Sequence, residues 1–393
     1  MPMDRRSILD RTPASGRRHL KVSCISDCHR AMPREILPLT SLRFVAALYV
    51  FLFHMQIHFG LPVSGFLQAF FLQGAVGMSL FFILSGFVLS ISYSDGPISL
   101  ERYAIRRVAR IVPVYILAAL VTLPWFATGA SVKSTAPVLQ GVFVFLTNLF
   151  FLQAWFPTMM PFWNVGASWS LSVEAFFYAL FPAAQRAVTR TSNRGLALVM
   201  LMALVASILP GLSMHLIGTN GANYYILPIF RLPEFIIGVG LGIAYSRCFR
   251  LPCSTLVFVV ATAVLVTGLA SIPGSYYVDM NWLAVPCFSA VILAAAQIRA
   301  GWLRSFLTAR WLVFSGHASY CFYSFQVLII FIAREYGEEI KAAIPLVAHP
   351  LWFALLWFVV LYALSAIVYL LFEKPVRHMI VSRIGQHHSR ATA

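Results

Sequence analysis

Long apolar runs alternate with short polar breaks along almost the whole chain. They fall near 39–60, 74–93, 108–127, 138–155, 169–185, 196–212, 223–245, 254–271, 281–298, 312–332 and 348–372. About 20 apolar residues make a helix that crosses a bilayer, so the pattern predicts an all-α, polytopic membrane protein. Basic residues cluster between the runs, at Arg102/Arg106/Arg107/Arg110, Arg186/Arg190/Arg194, Arg247/Arg250, Arg299/Arg304/Arg310 and Lys374/Arg377/Arg383. Cytoplasmic loops concentrate Lys and Arg, so each stretch between clusters must make a round trip. Three runs lie between Arg110 and Arg186, one too many for such a trip. The run at 138–155 is short, and the uncharged aromatic stretch after it includes Pro161-Phe162-Trp163-Asn164. It is therefore predicted as a re-entrant or outer-surface segment. About ten transmembrane helices remain, with both termini cytoplasmic and only Lys133, Arg334 and Lys341 as basic residues on the other side. This divides the chain into a basic tail (1–38), a membrane domain (39–372) and a second basic tail (373–393).

Composition narrows the class. Of 393 residues, 60% are hydrophobic and 11% charged, against about half and a quarter in soluble domains. A water-soluble enzyme, a disordered regulator and a disulfide-stapled secreted module are excluded. The net charge of +16 then reads as a topology signal, with the lipid bilayer and no nucleic acid as partner. The first 38 residues carry eight Lys/Arg and no apolar core of a cleavable signal, and translation from Met32 would lose nothing used below. Cys24, Cys28 and His29 form only a weak metal pattern, and no metal site is expected.

Ionisable groups inside spans are costly and mark function. In the first span Arg43 precedes His54 by eleven residues, which returns to nearly the same helix face about 16 Å further on. His54 lies deep, and a neutral imidazole there can serve as general base for an alcohol. His58, one turn beyond, reads as interfacial. Arg107 and Arg110, three apart at the cytoplasmic end of the third span, suit a phosphate or pyrophosphate. Glu174, a turn or so inside the outer end of its span, calls for a partner or a substrate hydroxyl. Arg231 and Glu234 read as an intrahelical, architectural pair. Gly74–Gly77 and Ser85-Gly86 read as helix-packing residues.

These residues sit in blocks that resemble one family. The blocks are Ser41-Leu-Arg43 through His54, Phe81-Phe-Ile-Leu-Ser85-Gly86-Phe87, Arg106-Arg107-Val-Ala-Arg110-Ile-Val-Pro113 and Trp169-Ser-Leu-Ser-Val-Glu174-Ala-Phe-Phe-Tyr178. Arg231-Leu-Pro-Glu234, Ser319-Tyr320-Cys-Phe-Tyr323 and Glu373-Lys-Pro375-Val-Arg377 follow. Their order and spacing, from about Leu39 to Arg377, resemble the acyltransferase-3 family of integral-membrane O-acyltransferases, which includes polysaccharide O-acetylases. The resemblance implies a ten-helix core, acyl-CoA (acetyl-CoA by default) as donor substrate with no permanently bound cofactor, and a saccharide or other hydroxyl acceptor. It places the catalytic histidine on His54 and the donor-binding arginines on Arg43, Arg107 and Arg110. Glu174, read from its place in the span, either orients His54 or holds the acceptor, and the sequence does not choose. The resemblance also implies the bacterial cytoplasmic (inner) membrane. Many relatives carry Asp at Ser79 and His at Gln326, so no acid–base work is assigned to Gln326. A transporter or flippase that moves a lipid-linked glycan without chemistry is the alternative; missing internal repeats and the arginine pair weigh against it.

Overall fold

The computed structural model describes residues 35–94, 96–130, 136–158, 168–217, 221–272 and 280–391. The Cys24/Cys28/His29 cluster, Met32, Lys133 and Pro161–Asn164 lie outside them. Regular structure among the described residues is entirely helical. The elements are α1 (Leu37–Phe59), α2 (Gly65–Leu72), α3 (Gly77–Ser92, preceded by a 3-10 turn at Gly74–Val76), α4 (Leu100–Ala130), α5 (Pro137–Leu149) and α6 (Ser168–Thr189). There follow α7 (Asn193–Ala206), α8 (Leu209–Ile217), α9 (Gly221–Ile226), α10 (Pro228–Ser246), α11 (Ser254–Ala270) and α12 (Asn281–Gln297). Last come α13 (Trp302–Leu307), α14 (Arg310–Glu335), α15 (Gly337–Ala343), α16 (Pro350–Val368) and, after a π turn at Tyr369–Glu373, α17 (Lys374–Ala391).

Seven helical segments are long and apolar enough to cross a membrane: Leu37–Phe59, Gly74–Ser92, Leu100–Phe126, Asn193–Met214, Pro228–Ser246, Arg310–Glu335 and Pro350–Arg383. The other three expected spans are helices too. Ser168, Ser170, Ser172 and Glu174 dilute α6, while α11 and α12 have 17 residues each. The segment predicted not to cross is α5, whose 13 residues rise about 20 Å, short of a hydrocarbon core of about 30 Å. A 3-10 turn then docks it onto α6, where Gln153 Nε2 donates to the Ser168 carbonyl at 2.6 Å.

Several boundaries differ from the apolar pattern for identifiable reasons. The run at 223–245 divides at Leu227, because Pro228 starts a new helix at its first turn. Helix α4 begins at Leu100, eight residues earlier than its apolar run, since the arginine-rich stretch is also helical. The segment after 373, read from charge as a tail, continues as α17.

The basic clusters gather at one end of the bundle. Arg247 donates to the Asn193 side chain and to the carbonyls of Thr189 and Thr191 at 2.7–3.0 Å. Gln297 ties Phe249 and Leu251 to the same loops, and Arg304 donates to the Ile298 carbonyl at 2.7 Å. At the opposite end Trp125 donates to Glu335, and Lys341 pairs with Glu338 at 2.7 Å.

Small residues set the closest helix approach. A Cβ on Gly86 would lie 2.3 Å from the Phe235 carbonyl oxygen, and one on Gly238 would lie 2.0 Å from that of Ile83. The α3 and α10 backbones therefore touch through reciprocal glycines. Gly238→Ala must push the helices apart and is expected to destabilise the protein by about 1–3 kcal/mol. A lowered melting midpoint in detergent, against an unchanged midpoint for Gly268→Ala, whose Cβ meets nothing within 4 Å, checks this.

Candidate active site between two arginines

Helices α1, α3, α4, α6 and α14 enclose a small inner chamber of about 60 Å³, room for a few waters. Arg43, Arg110, Glu174, Ser85, Tyr320 and Tyr323 are among its polar lining residues. A larger vestibule of about 280 Å³ opens at the arginine-rich end, lined by Glu35, Arg43, Arg110, His317, Glu373 and Arg377 among others. Arg43 and Arg110 belong to both cavities and stand between them.

The chamber's polar groups are held by named partners. Glu174 accepts hydrogen bonds from Ser85 Oγ at 3.2 Å and from the Tyr178 hydroxyl. Tyr320 donates to the Ile111 carbonyl at 2.8 Å, and the Tyr323 hydroxyl shares a 2.8 Å hydrogen bond with Ser170 Oγ. Glu174 is also within electrostatic reach of both Arg43 and Arg110, the compensation that a carboxylate inside a span requires. In the vestibule Cys321 Sγ donates to Glu373 at 3.1 Å, and Arg377 approaches the same carboxylate at 3.9 Å. Three guanidiniums face two carboxylates there, a setting that favours an anion.

The structure brings Arg43, Arg110 and Glu174 together and leaves the two other predicted residues apart. Arg107 lines neither cavity; its guanidinium lies over the rings of Tyr103 (5.9 Å) and Tyr178 (5.5 Å). His54 also lines neither. Gly77, beside Met78 of the chamber wall, packs on Ala46 and Val50 of α1. Of α1 only Arg43 lines the chamber, and His54 stands eleven residues, about 16 Å by helix rise, further along that helix. The His54 ring stacks on His58 at 5.9 Å, and its buried Nδ1 has no hydrogen-bond partner.

Sequence reasoning gave Ser85 little weight and did not use Tyr178, His317 or Cys321. Ser85 sits in a small-residue pair that reads equally as packing, and only the fold turns its hydroxyl to Glu174. Gln326 is fully buried, with both amide heteroatoms unpartnered. Arg231 and Glu234 form the expected pair at 3.0 Å, inside a network with Ser79 and Asn281, and neither lines either cavity.

The fold and this polar interior define a multi-pass membrane protein with ionisable groups lining a chamber between its helices. A family model described as an acyltransferase domain matches residues 38–373, and the chain belongs to that acyltransferase-3 family. It is 30% identical over 326 residues to the acyltransferase MdmB of Streptomyces mycarofaciens, covering 77% of this chain and 80% of that one. A Staphylococcus aureus (strain COL) protein that carries an O-acetyltransferase name is 22% identical over 77% of this chain, which spans only 52% of its length. The exopolysaccharide production protein ExoZ of Rhizobium meliloti is 33% identical over 120 residues, 28% of this chain and 34% of that protein. No solved structure matches. The protein is a membrane acyltransferase.

Proposed function

We propose that the enzyme moves an acyl group, acetyl by default, from cytoplasmic acyl-CoA to a hydroxyl of an extracytoplasmic or lipid-linked acceptor. The arginine-rich end faces the cytoplasm, with both termini there and about ten helices crossing the inner membrane. The observation that carries this reading is the position of Arg43 and Arg110, shared by the vestibule at that end and the chamber beyond it.

The charged nucleotide end of the donor rests in the vestibule against these arginines. Its uncharged pantetheine arm enters the chamber, which must widen to admit it, and Glu174 accepts a hydrogen bond from an amide of the arm. The thioester then reaches His54, about 16 Å from Arg43 along α1. There the neutral imidazole takes the proton of the acceptor hydroxyl as its oxygen attacks the thioester carbonyl. The C–S bond breaks, and the CoA thiolate leaves with the proton returned from the imidazolium. The acceptor is a saccharide, a reading supported by the similarity to a protein named for exopolysaccharide production.

Purified protein given radiolabelled acetyl-CoA and candidate glycans tests the reaction directly. Label in the glycan is the expected result; absence of both transfer and acetyl-CoA hydrolysis overturns the reading. Arg110→Ala removes charge-assisted contacts worth about 1.5–3 kcal/mol. It is expected to weaken CoA binding about tenfold to a hundredfold by calorimetry, and unchanged affinity refutes the role.

A further inference from the structure

Arg107 is three residues from Arg110, yet it heads a different cavity. A groove of about 370 Å³ runs along the side of the bundle between α4 and α6. It follows α4 from Leu100 to Val112, about 18 Å by helix rise. One leaflet of a hydrocarbon core is about 15 Å deep, so the groove has the length of a single acyl chain. Its walls are apolar: Leu100 and Val108 are 56% and 50% exposed, and Ala175 and Ala179 of α6 leave the furrow open. Phe151 stands among the lining residues.

Arg107 is the only charged residue lining this groove. Among the described residues it has no carboxylate within ion-pair distance, and its buried Nε lacks a hydrogen-bond partner. The faces of Tyr103 and Tyr178 compensate the charge in part. Exposed Arg102 and Arg106 extend the positive surface where the groove begins. A long apolar furrow in a membrane protein, with one under-satisfied guanidinium beside the basic end, is complementary to a chain bearing an anionic head.

We propose that this groove binds one anionic glycerophospholipid, its acyl chain along α4 and its phosphate on Arg107. The vestibule, polar and at the bundle end, suits the nucleotide of a CoA; the groove, apolar and opening sideways, suits a lipid already in the leaflet. Tyr178 links the groove to the inner chamber, since its ring underlies Arg107 and its hydroxyl donates to Glu174 of the chamber wall. An effect of lipid on turnover would rest on the proposed function; the binding itself does not.

The test is native mass spectrometry of full-length protein released from nanodiscs of mixed phosphatidylglycerol and phosphatidylcholine. The wild type is expected to retain one phosphatidylglycerol in preference to phosphatidylcholine. Arg107→Gln is expected to lower that retention at least fivefold, and Arg106→Gln to leave it within twofold. Ala179→Phe fills the furrow from an exposed position on α6 while leaving the Arg107 charge in place, and is expected to displace the lipid as well. Equal retention of the two lipids by the wild type, or undiminished phosphatidylglycerol on both Arg107→Gln and Ala179→Phe, overturns the proposal. Binding of acetyl-CoA, measured in parallel, separates a failed lipid site from a failed donor site.

Discussion

His54→Ala protein is expected to fold normally and to transfer acyl groups about 10²–10⁴-fold more slowly, the range for loss of a general base. Folding should survive because the ring holds little together: it stacks on His58, meets Phe53 edge-on, and leaves a buried Nδ1 unpartnered. That unpartnered nitrogen is the reason to look for chemistry. A side chain kept only for a structural hydrogen bond would have its bond in the resting protein. His54→Gln sharpens the test, since an amide can donate and accept but cannot exchange a proton. Restored transfer in His54→Gln would reduce His54 to a hydrogen-bonding role, and normal transfer by His54→Ala would remove it from the reaction. The separation of chamber and imidazole does not weaken the expectation, because catalytic contacts commonly form only once substrate is bound. It does set a condition: the chamber wall must yield to the incoming arm for the thioester to reach the imidazole.

Much of this architecture is legible in the chain because the bilayer imposes it. Apolar runs become helices, and loop arginines fix which ends lie together; Arg247 bonding to Thr189, Thr191 and Asn193 is the structural form of that rule. Span limits are less legible where polar residues are helical. Neither Leu100–Val108 nor the segment after Lys374 carries an apolar signal, yet both continue helices begun or ended by one. Site residues divide in the same way. A lone Glu174 in a span announces a partner, and Tyr178, four residues on, is a neighbour on the same helix; Ser85, however, is supplied only by α3 packing near α6. Spacing alone does not fix which cavity each arginine lines. Three residues on a helix turn the side chain by about 60°, so neighbours on one face can still point to opposite sides of an adjoining helix. Arg110 thus meets Arg43 at the chamber while Arg107 faces the groove.

Removing either member of the Arg231–Glu234 pair is expected to cost about 3–5 kcal/mol, enough to deplete folded protein from the membrane. Both side chains are 1% exposed, and their ion pair measures 3.0 Å. Arg231 donates to Ser79 at 3.0 Å and lies over the rings of Tyr225 (4.4 Å) and Phe82 (5.2 Å). Glu234 accepts from Asn281 Nδ2 at 2.6 Å, so the carboxylate is anchored to α12 as well as to its own helix. Arg231→Met leaves a buried carboxylate uncompensated, and Glu234→Gln leaves a buried guanidinium. The double variant leaves no net charge while Gln still accepts from Asn281, so it should recover most of the loss. Melting midpoints of the four proteins measure the coupling. Additive losses would mean that the charges do not act as a pair, and the electrostatic explanation of this network would fail. Transfer per folded molecule adds the functional arm: a double variant that folds and transfers normally keeps the pair architectural, whereas one that folds and is inactive moves it into the reaction. Ser79 sharpens the first outcome. In this chain it contributes a hydroxyl between Arg231 and Asn281, so Ser79→Asp would add a second carboxylate to one guanidinium. That variant should be destabilised here and tolerated once Glu234 is replaced by Gln.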